Sequence, residues 1–268
     1  MQDPIATESL TYPSASGGVK AYLAKPAGGQ PWPALIVIQE VFGLEPHIED
    51  LARRFAREGY LALAPDLYCH DAVRATLTVQ DIERALALAR APDLEAAIRE
   101  LPADRQEGAR RAANWRNERD ASTYVPDLRA AVDYLKGRSD VRADAIGAIG
   151  YCMGGGLSGQ LATSGADIAA AVINYGGIPP LEQVPNVRCV VQGHYGGADV
   201  GITSRVPELE AAMKAHGKSF TAYVYDGAPH AFFNDTRPSY TPEAAKLTWE
   251  RTLDFFERHV RRAAVAAR

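Results

Sequence analysis

Residues 147–156 read GAIGYCMGGG, and few stretches limit a fold as tightly. An apolar run, 145–149, reaches Gly150; Cys152 follows, and then a small-residue segment, 153–163, with the makeup of a closely packed helix. Glycines two before and two after the cysteine let strand and helix approach while the central residue takes a strained backbone. The turn throws the Cys152 side chain out beyond the carboxyl end of the strand. The helix opening at Met153 aims its positive N-terminus at the same point, which favours a thiolate. An unbroken apolar strand is covered on both faces, so the motif calls for a layered α/β architecture.

The rest of the chain follows the same rhythm. Residues 19–24 alternate as an early strand, and 34–39 (ALIVIQ) form a second continuous apolar run. A loop, EVFGLEPH, leads to a helix at 48–58, whose Ile48, Leu51, Ala52 and Phe55 share a face. Strands are predicted at 60–64, 145–149, 168–175, 187–192 and 220–225, with helices at 126–136, 153–163, 207–216 and 242–260. In the last helix Trp249, Leu253, Phe256 and Val260 make the predicted inner face. Strands alternating with helices imply a mostly parallel central sheet flanked by helices. Between 69 and 122 there is no strand signal, only charged helical sequence. It reads as a helical excursion over one edge of the sheet, either covering the site or a solvated excursion with no catalytic part. No repeat or low-complexity linker divides the 268 residues, so one domain, 1–268, is expected.

Composition narrows the function. Hydrophobic residues at 47% and charged residues at 23% suit an ordinary globular core. A net charge of −4 argues against a nucleic-acid surface. No apolar run approaches the roughly 18 residues of a membrane span. The N-terminal stretch lacks a basic start followed by an apolar block, so no signal peptide and a cytoplasmic location are expected. Three cysteines without metal-type spacing point away from disulfides and metals. With no metal, nucleotide or flavin motif, no cofactor is expected. Cys69 and Cys189 lack the context of Cys152 and read as structural.

G-x-C-x-G resembles the nucleophile elbow of α/β-hydrolases, with cysteine where serine is usual. A nucleophile needs a base, and the base an orienting acid; in that fold they follow in the order nucleophile, acid, histidine. Downstream of Cys152, Asp199 lies in the loop after VRCVVQ, and His230 in the loop after FTAYVY. Both loops leave the carboxyl edge of the sheet. His194 shares the acid's loop and reads as structural. His47 starts a helix, His216 and His259 end helices, and Asp226 precedes the histidine loop. The oxyanion hole is expected from the N–H groups of Met153 and Val41.

With these residues placed, the chain resembles the dienelactone hydrolases. The stretches that carry the likeness are QEVFGLEPHIEDLARRFAREGYLALAPDLY, IGYCMGGG, GADVGI and GAPHAFFND, together spanning about residues 19–260. The resemblance implies hydrolysis of a cyclic enol ester, with Cys152 attacking, His230 as base and Asp199 orienting it. It implies a further role for Glu40, close to the resting thiol, in creating the thiolate. It also implies two arginines that hold the substrate carboxylate, yet here those places carry His70 and Asn234. Phe42, Tyr68, His70, Phe232 and Asn234 are the expected substrate-pocket residues; Arg74 and Arg237 read first as surface charges, with reaching into the pocket as the alternative. The expected partner is a small lactone or ester, met by a monomer or homodimer. A broader carboxylesterase or thioesterase is the nearest alternative. A protein that captures electrophiles on Cys152 without turnover is the alternative from another class.

Overall fold

The computed structural model describes residues 4–29, 31–89 and 91–262. They fall into two compact units, one within Met1–Leu67 and Ser122–Arg268, the other Tyr68–Ala121.

The first unit is built on an eight-stranded sheet. Its strands are β1 (Ile5–Ser14), β2 (Gly17–Pro26), β3 (Trp32–Ile38), β4 (Leu61–Pro65), β5 (Val141–Tyr151), β6 (Ala170–Asn174), β7 (Val190–Gly196) and β8 (Phe220–Tyr225). Their order is β1-β2-β4-β3-β5-β6-β7-β8. The pairs β1–β2 and β2–β4 are antiparallel and all others parallel. This is the predicted mostly parallel sheet, extended at one edge by a hairpin.

That hairpin contains the strand the hydrophobic pattern does not reveal. Nine of the ten β1 residues keep some exposure, so β1 has no alternating apolar signature. Pairing with β2 holds it through its whole length, from Ile5↔Pro26 to Ser14↔Gly17. Its buried residue, Tyr12, donates its hydroxyl to the Asp127 carbonyl at 3.0 Å.

Helices α1 (Pro46–Arg57), α5 (Val125–Lys136), α6 (Met153–Thr163), α7 (Val200–Thr203), α8 (Val206–Ala215) and α9 (Pro242–Phe256) belong to the same unit. On α1 the expected face, Ile48, Leu51, Ala52 and Phe55, is wholly buried. Of the predicted inner face, Phe256 and, just beyond α9, Val260 are wholly buried, but the rest differs. Ala244, Ala245, Thr248, Thr252, Phe255 and Phe256 are buried, whereas Trp249 and Leu253 are half-buried at the margin. Small residues let this helix lie close; Trp249 instead packs on Phe55, ring centroids 4.8 Å apart.

The second unit, the excursion read between 69 and 122, holds α2 (Val79–Leu88), α3 (Leu94–Arg99) and α4 (Ala103–Glu118). Thr78 and Asp81 form a reciprocal cap at the start of α2. Trp115 donates to Asp71 at 2.7 Å and meets the Tyr68 ring edge-on.

Two histidines in the first unit are buried and neutral. His194 is wholly enclosed and bonded to Tyr225 and Gln192. Burial, followed by the Arg251 charge, lowers its pKa to about 3. Burial likewise lowers His47 to about 4, only partly opposed by Asp235. Both values lie below that of an unfolded histidine, so the stability they contribute is present above pH ~6.5 and lost as pH falls toward these values. Stability to urea should therefore fall steeply between pH 6 and 4. In His47→Asn the slope should ease by up to about 1.4 kcal/mol per pH unit; an unchanged slope would contradict the assignment.

Candidate active site

Register explains why distant residues meet. Ile38 pairs with Gly150, Tyr151 with Asn174, Asn174 with His194, and Gly196 with Tyr225. The carboxyl ends of β3, β5, β6, β7 and β8 therefore lie side by side. Just beyond these ends come Glu40, Cys152 and Tyr175, with Asp199 and His230 a few residues further on.

Cys152 occupies the strained turn expected of it, with φ 55° and ψ −116° just ahead of α6. Its N–H donates to the Asn174 carbonyl at 3.0 Å, and the Asn174 amide donates back to the Gly150 carbonyl at 3.2 Å. A Cβ on Gly150 would fall 1.8 Å from the Gly154 carbonyl oxygen, so only glycine allows the chain to fold back there. The sulfur of the part-exposed Cys152 lies 3.1 Å from His230 Nε2. On the other side of the ring, His230 Nδ1 donates to Asp199 Oδ2 at 2.7 Å. The acid is buried, with its side chain 4% exposed, while the histidine side chain is 39% exposed. Burial works against the imidazolium, but the hydrogen bonds to Asp199 and Cys152 outweigh it and raise His230 to about 10. Such a histidine favours the imidazolium at neutral pH.

Met153 is the first residue of α6, and the buried Val41 follows Glu40 in the loop after β3. These are the positions expected to supply the oxyanion N–H groups. Glu40 is 1% exposed. It accepts from the Tyr175 hydroxyl at 3.3 Å and from Asn234 Nδ2 at 2.6 Å. Burial raises its pKa above the ordinary carboxylate range, against the Asn234 hydrogen bond.

Three of the expected pocket residues are buried. Phe232 is wholly buried, packed between Tyr175 and Tyr225. Asn234 is also fully buried, its amide committed to Glu40. Tyr68 is also buried, its hydroxyl accepting from Arg119 at 3.0 Å. His70 is exposed. Phe42 is half-buried in the first unit, with the Arg237 guanidinium 4.1 Å above its ring. Arg237 pairs with Glu45 at 3.1 Å. Tyr175 belongs to no catalytic motif in the sequence. Its signal lay in NYGG directly after a buried strand, the place where a sheet edge presents a side chain. Cys189 differs from Cys152: it is buried, which pushes its thiol up to about 12, whereas Cys69 is part-exposed. Among the described residues, no group of three His, Cys, Asp or Glu side chains is placed to hold a metal ion. Nor is any helix among them long and apolar enough to cross a membrane.

Residues 19–260 match the Dienelactone hydrolase family. The chain belongs to that family. A candidate carboxymethylenebutenolidase of Methylorubrum extorquens is 32% identical, over 96% of this chain and 85% of its own. One from Saccharolobus solfataricus is also 32% identical, over 94% of this chain and 98% of its own. Among solved structures, a candidate dienelactone hydrolase from Klebsiella pneumoniae superposes with a TM-score of 0.77 at 28% identity. It covers 96% of this chain and 100% of its own. The protein is thus a family member with the α/β-hydrolase fold and an ester-hydrolysing enzyme.

Proposed function

We propose that the protein is a cysteine hydrolase that opens lactones and small activated esters through a thioester acyl-enzyme. The observation that carries this reading is the unbroken line from Cys152 Sγ through His230 to Asp199, with steps of 3.1 and 2.7 Å. The Cys152 thiolate attacks the acyl carbon and a C–S bond forms. The carbonyl oxygen becomes an oxyanion, held by the N–H groups of Met153 and Val41. Collapse breaks the C–O bond, and His230 Nε2–H protonates the departing oxygen. Water then attacks the thioester while His230 takes its proton; the acid leaves and the thiolate returns. Asp199 holds the imidazole in one tautomer and stabilises its charged form.

A thiol suits one kind of leaving group. Thiolate departs from a tetrahedral intermediate more readily than an alkoxide or amine, so poor leaving groups revert. An enolate is a good leaving group, and it tautomerises to a ketone that does not re-close. Enol lactones thus fit the nucleophile, as does the carboxymethylenebutenolidase activity in the relatives' names. Asn234 is occupied by Glu40 and Arg237 by Glu45, an arrangement that favours neutral lactones over those carrying a carboxylate.

The test is hydrolysis of a dienelactone and of a neutral enol lactone, followed as loss of conjugated absorbance, with Cys152→Ala as the blank. Turnover of either that vanishes in the blank supports the reading, and their ratio reports the charge preference. A single acyl equivalent with no further release would favour the electrophile-capturing alternative. Activity unchanged in Cys152→Ala would end the proposal.

A further inference from the structure

The loop after β8 turns one amide toward Glu40 and fixes it there. The Thr236 N–H donates to Asn234 Oδ1 at 3.0 Å, and the Thr236 hydroxyl donates to the same oxygen at 2.6 Å. With its oxygen so occupied, the amide presents its NH2 to Glu40 Oε2 at 2.6 Å. Tyr175 holds the other carboxyl oxygen. Tyr175 is itself wholly buried, sits at φ 38°, and meets the His230 ring edge-on with centroids 5.4 Å apart. Glu40 is therefore clamped on both oxygens by neutral donors, one of which also packs against the proposed catalytic histidine.

We infer that Asn234, pinned by Thr236, is a positioning residue: with Tyr175 it holds Glu40 as a fixed carboxyl beside the His230–Cys152 pair and sets the pH at which Glu40 takes up its proton. This rests on the reading of Cys152 as the reactive thiol, which serves as the reporter. The groups of the first unit that act on Glu40 come from several elements. Tyr175 follows β6, Tyr151 ends β5, and His230 and Asn234 lie after β8. Glu45 lies on Glu40's own loop and is itself bound to Arg237. Burial is the strongest influence and favours the neutral acid. The Asn234 hydrogen bond is the largest opposing one, ahead of the His230 charge; Glu45 adds to the effect of burial. A cation at position 234 would fix Glu40 as a permanent carboxylate. A neutral amide stabilises the ionised form less, so Glu40 keeps the ability to gain and lose a proton.

The experiment is the rate of Cys152 alkylation by iodoacetamide from pH 4 to 10, with Cys152→Ala subtracted to remove reaction at Cys69. Glu40's charge alters the reactivity of the neighbouring pair, so its titration should leave an inflection in the wild-type profile. Glu40→Gln should erase that inflection. Asn234→Ala should move it up by about one pH unit, the effect of losing a hydrogen bond to a charged group. Thr236→Ala, at an exposed position, should move it the same way by less, and carries the test if Asn234→Ala does not fold. In the Glu40→Gln background, Asn234→Ala should change nothing. The inference is overturned if the inflection survives Glu40→Gln, if neither brace variant shifts it, or if the Asn234 effect persists without Glu40. Hydrolysis separates the two readings: wild-type turnover in Cys152→Ala would sink the proposed function, whereas a dead Cys152→Ala with unshifted alkylation profiles would sink this inference alone.

Discussion

Cys152→Ala is expected to lower hydrolysis by roughly 10⁶-fold, and Asp199→Asn by roughly 10³- to 10⁴-fold, with both proteins folded. The two numbers differ because the residues do different work. On the proposed mechanism no covalent intermediate forms without the sulfur, and only binding and the oxyanion donors remain. With asparagine at 199, the shape survives but the charge does not. The hydrogen bond at Asp199 is the first of the influences that raise His230 to about 10. Since His230 is raised, its imidazolium should persist through neutrality and give way only as pH approaches that value. The wild-type kcat/KM should thus fall on the alkaline side near pH 10. In Asp199→Asn that alkaline limb should move downward by at least a unit, toward the ordinary histidine range. A pH–rate profile of both proteins checks this. If the limb stays in place while the rate falls, Asp199 contributes only geometry.

The same residues show how far the sequence could be read. The alternation of apolar strands and helices exposed the parallel part of the sheet because buried parallel strands are apolar throughout. The elbow was legible because glycine spacing reports backbone contact directly. Asp199 and His230 followed from their place after consecutive strands, a consequence of register rather than of any local motif. Strand β1 was hidden because an edge strand is specified by its partner's hydrogen bonds, with Tyr12 its one buried side chain. On α9 Phe256 is buried as its spacing implies, whereas Trp249 and Leu253 lie at the margin because close packing there selects alanine and threonine. Phe232 and Asn234 follow His230 in sequence, yet the chain turns inward after it, with Ala231 at φ 58°. This turn carries both side chains beneath the site. Nothing in the local sequence announces such a reversal. The Glu40 clamp was illegible for the same reason: its three parts lie up to 194 residues apart and share no pattern.

The glycine triplet after the cysteine offers the largest expected effect on stability, and its members should behave differently. A Cβ on Gly154 would lie 2.4 Å from the carbonyl oxygens of both Ile38 and Gln39. Those atoms are backbone at the end of β3, held in register with Gly150, and they cannot swing aside as a side chain would. Gly155 is similar, with the Asn174 carbonyl oxygen 2.5 Å away. At Gly156 the nearest atom is the Gly177 carbonyl oxygen at 3.4 Å, an ordinary contact. Gly154→Ala should therefore force α6 away from β3 and cost about 3–5 kcal/mol. That is a large share of the ~5–15 kcal/mol typical of a domain. Gly156→Ala, inside the same helix, should be neutral or stabilise by up to about 1 kcal/mol, because alanine is the better helix former. Denaturant midpoints for the two variants make the comparison. Equal losses would mean that the triplet serves flexibility rather than contact. A large loss at 154 with none at 156 would show that the elbow depends on how closely α6 approaches β3. In that case, the position of the Cys152 sulfur against His230 depends on the same approach, and any activity left in Gly154→Ala should fall further than its folded fraction.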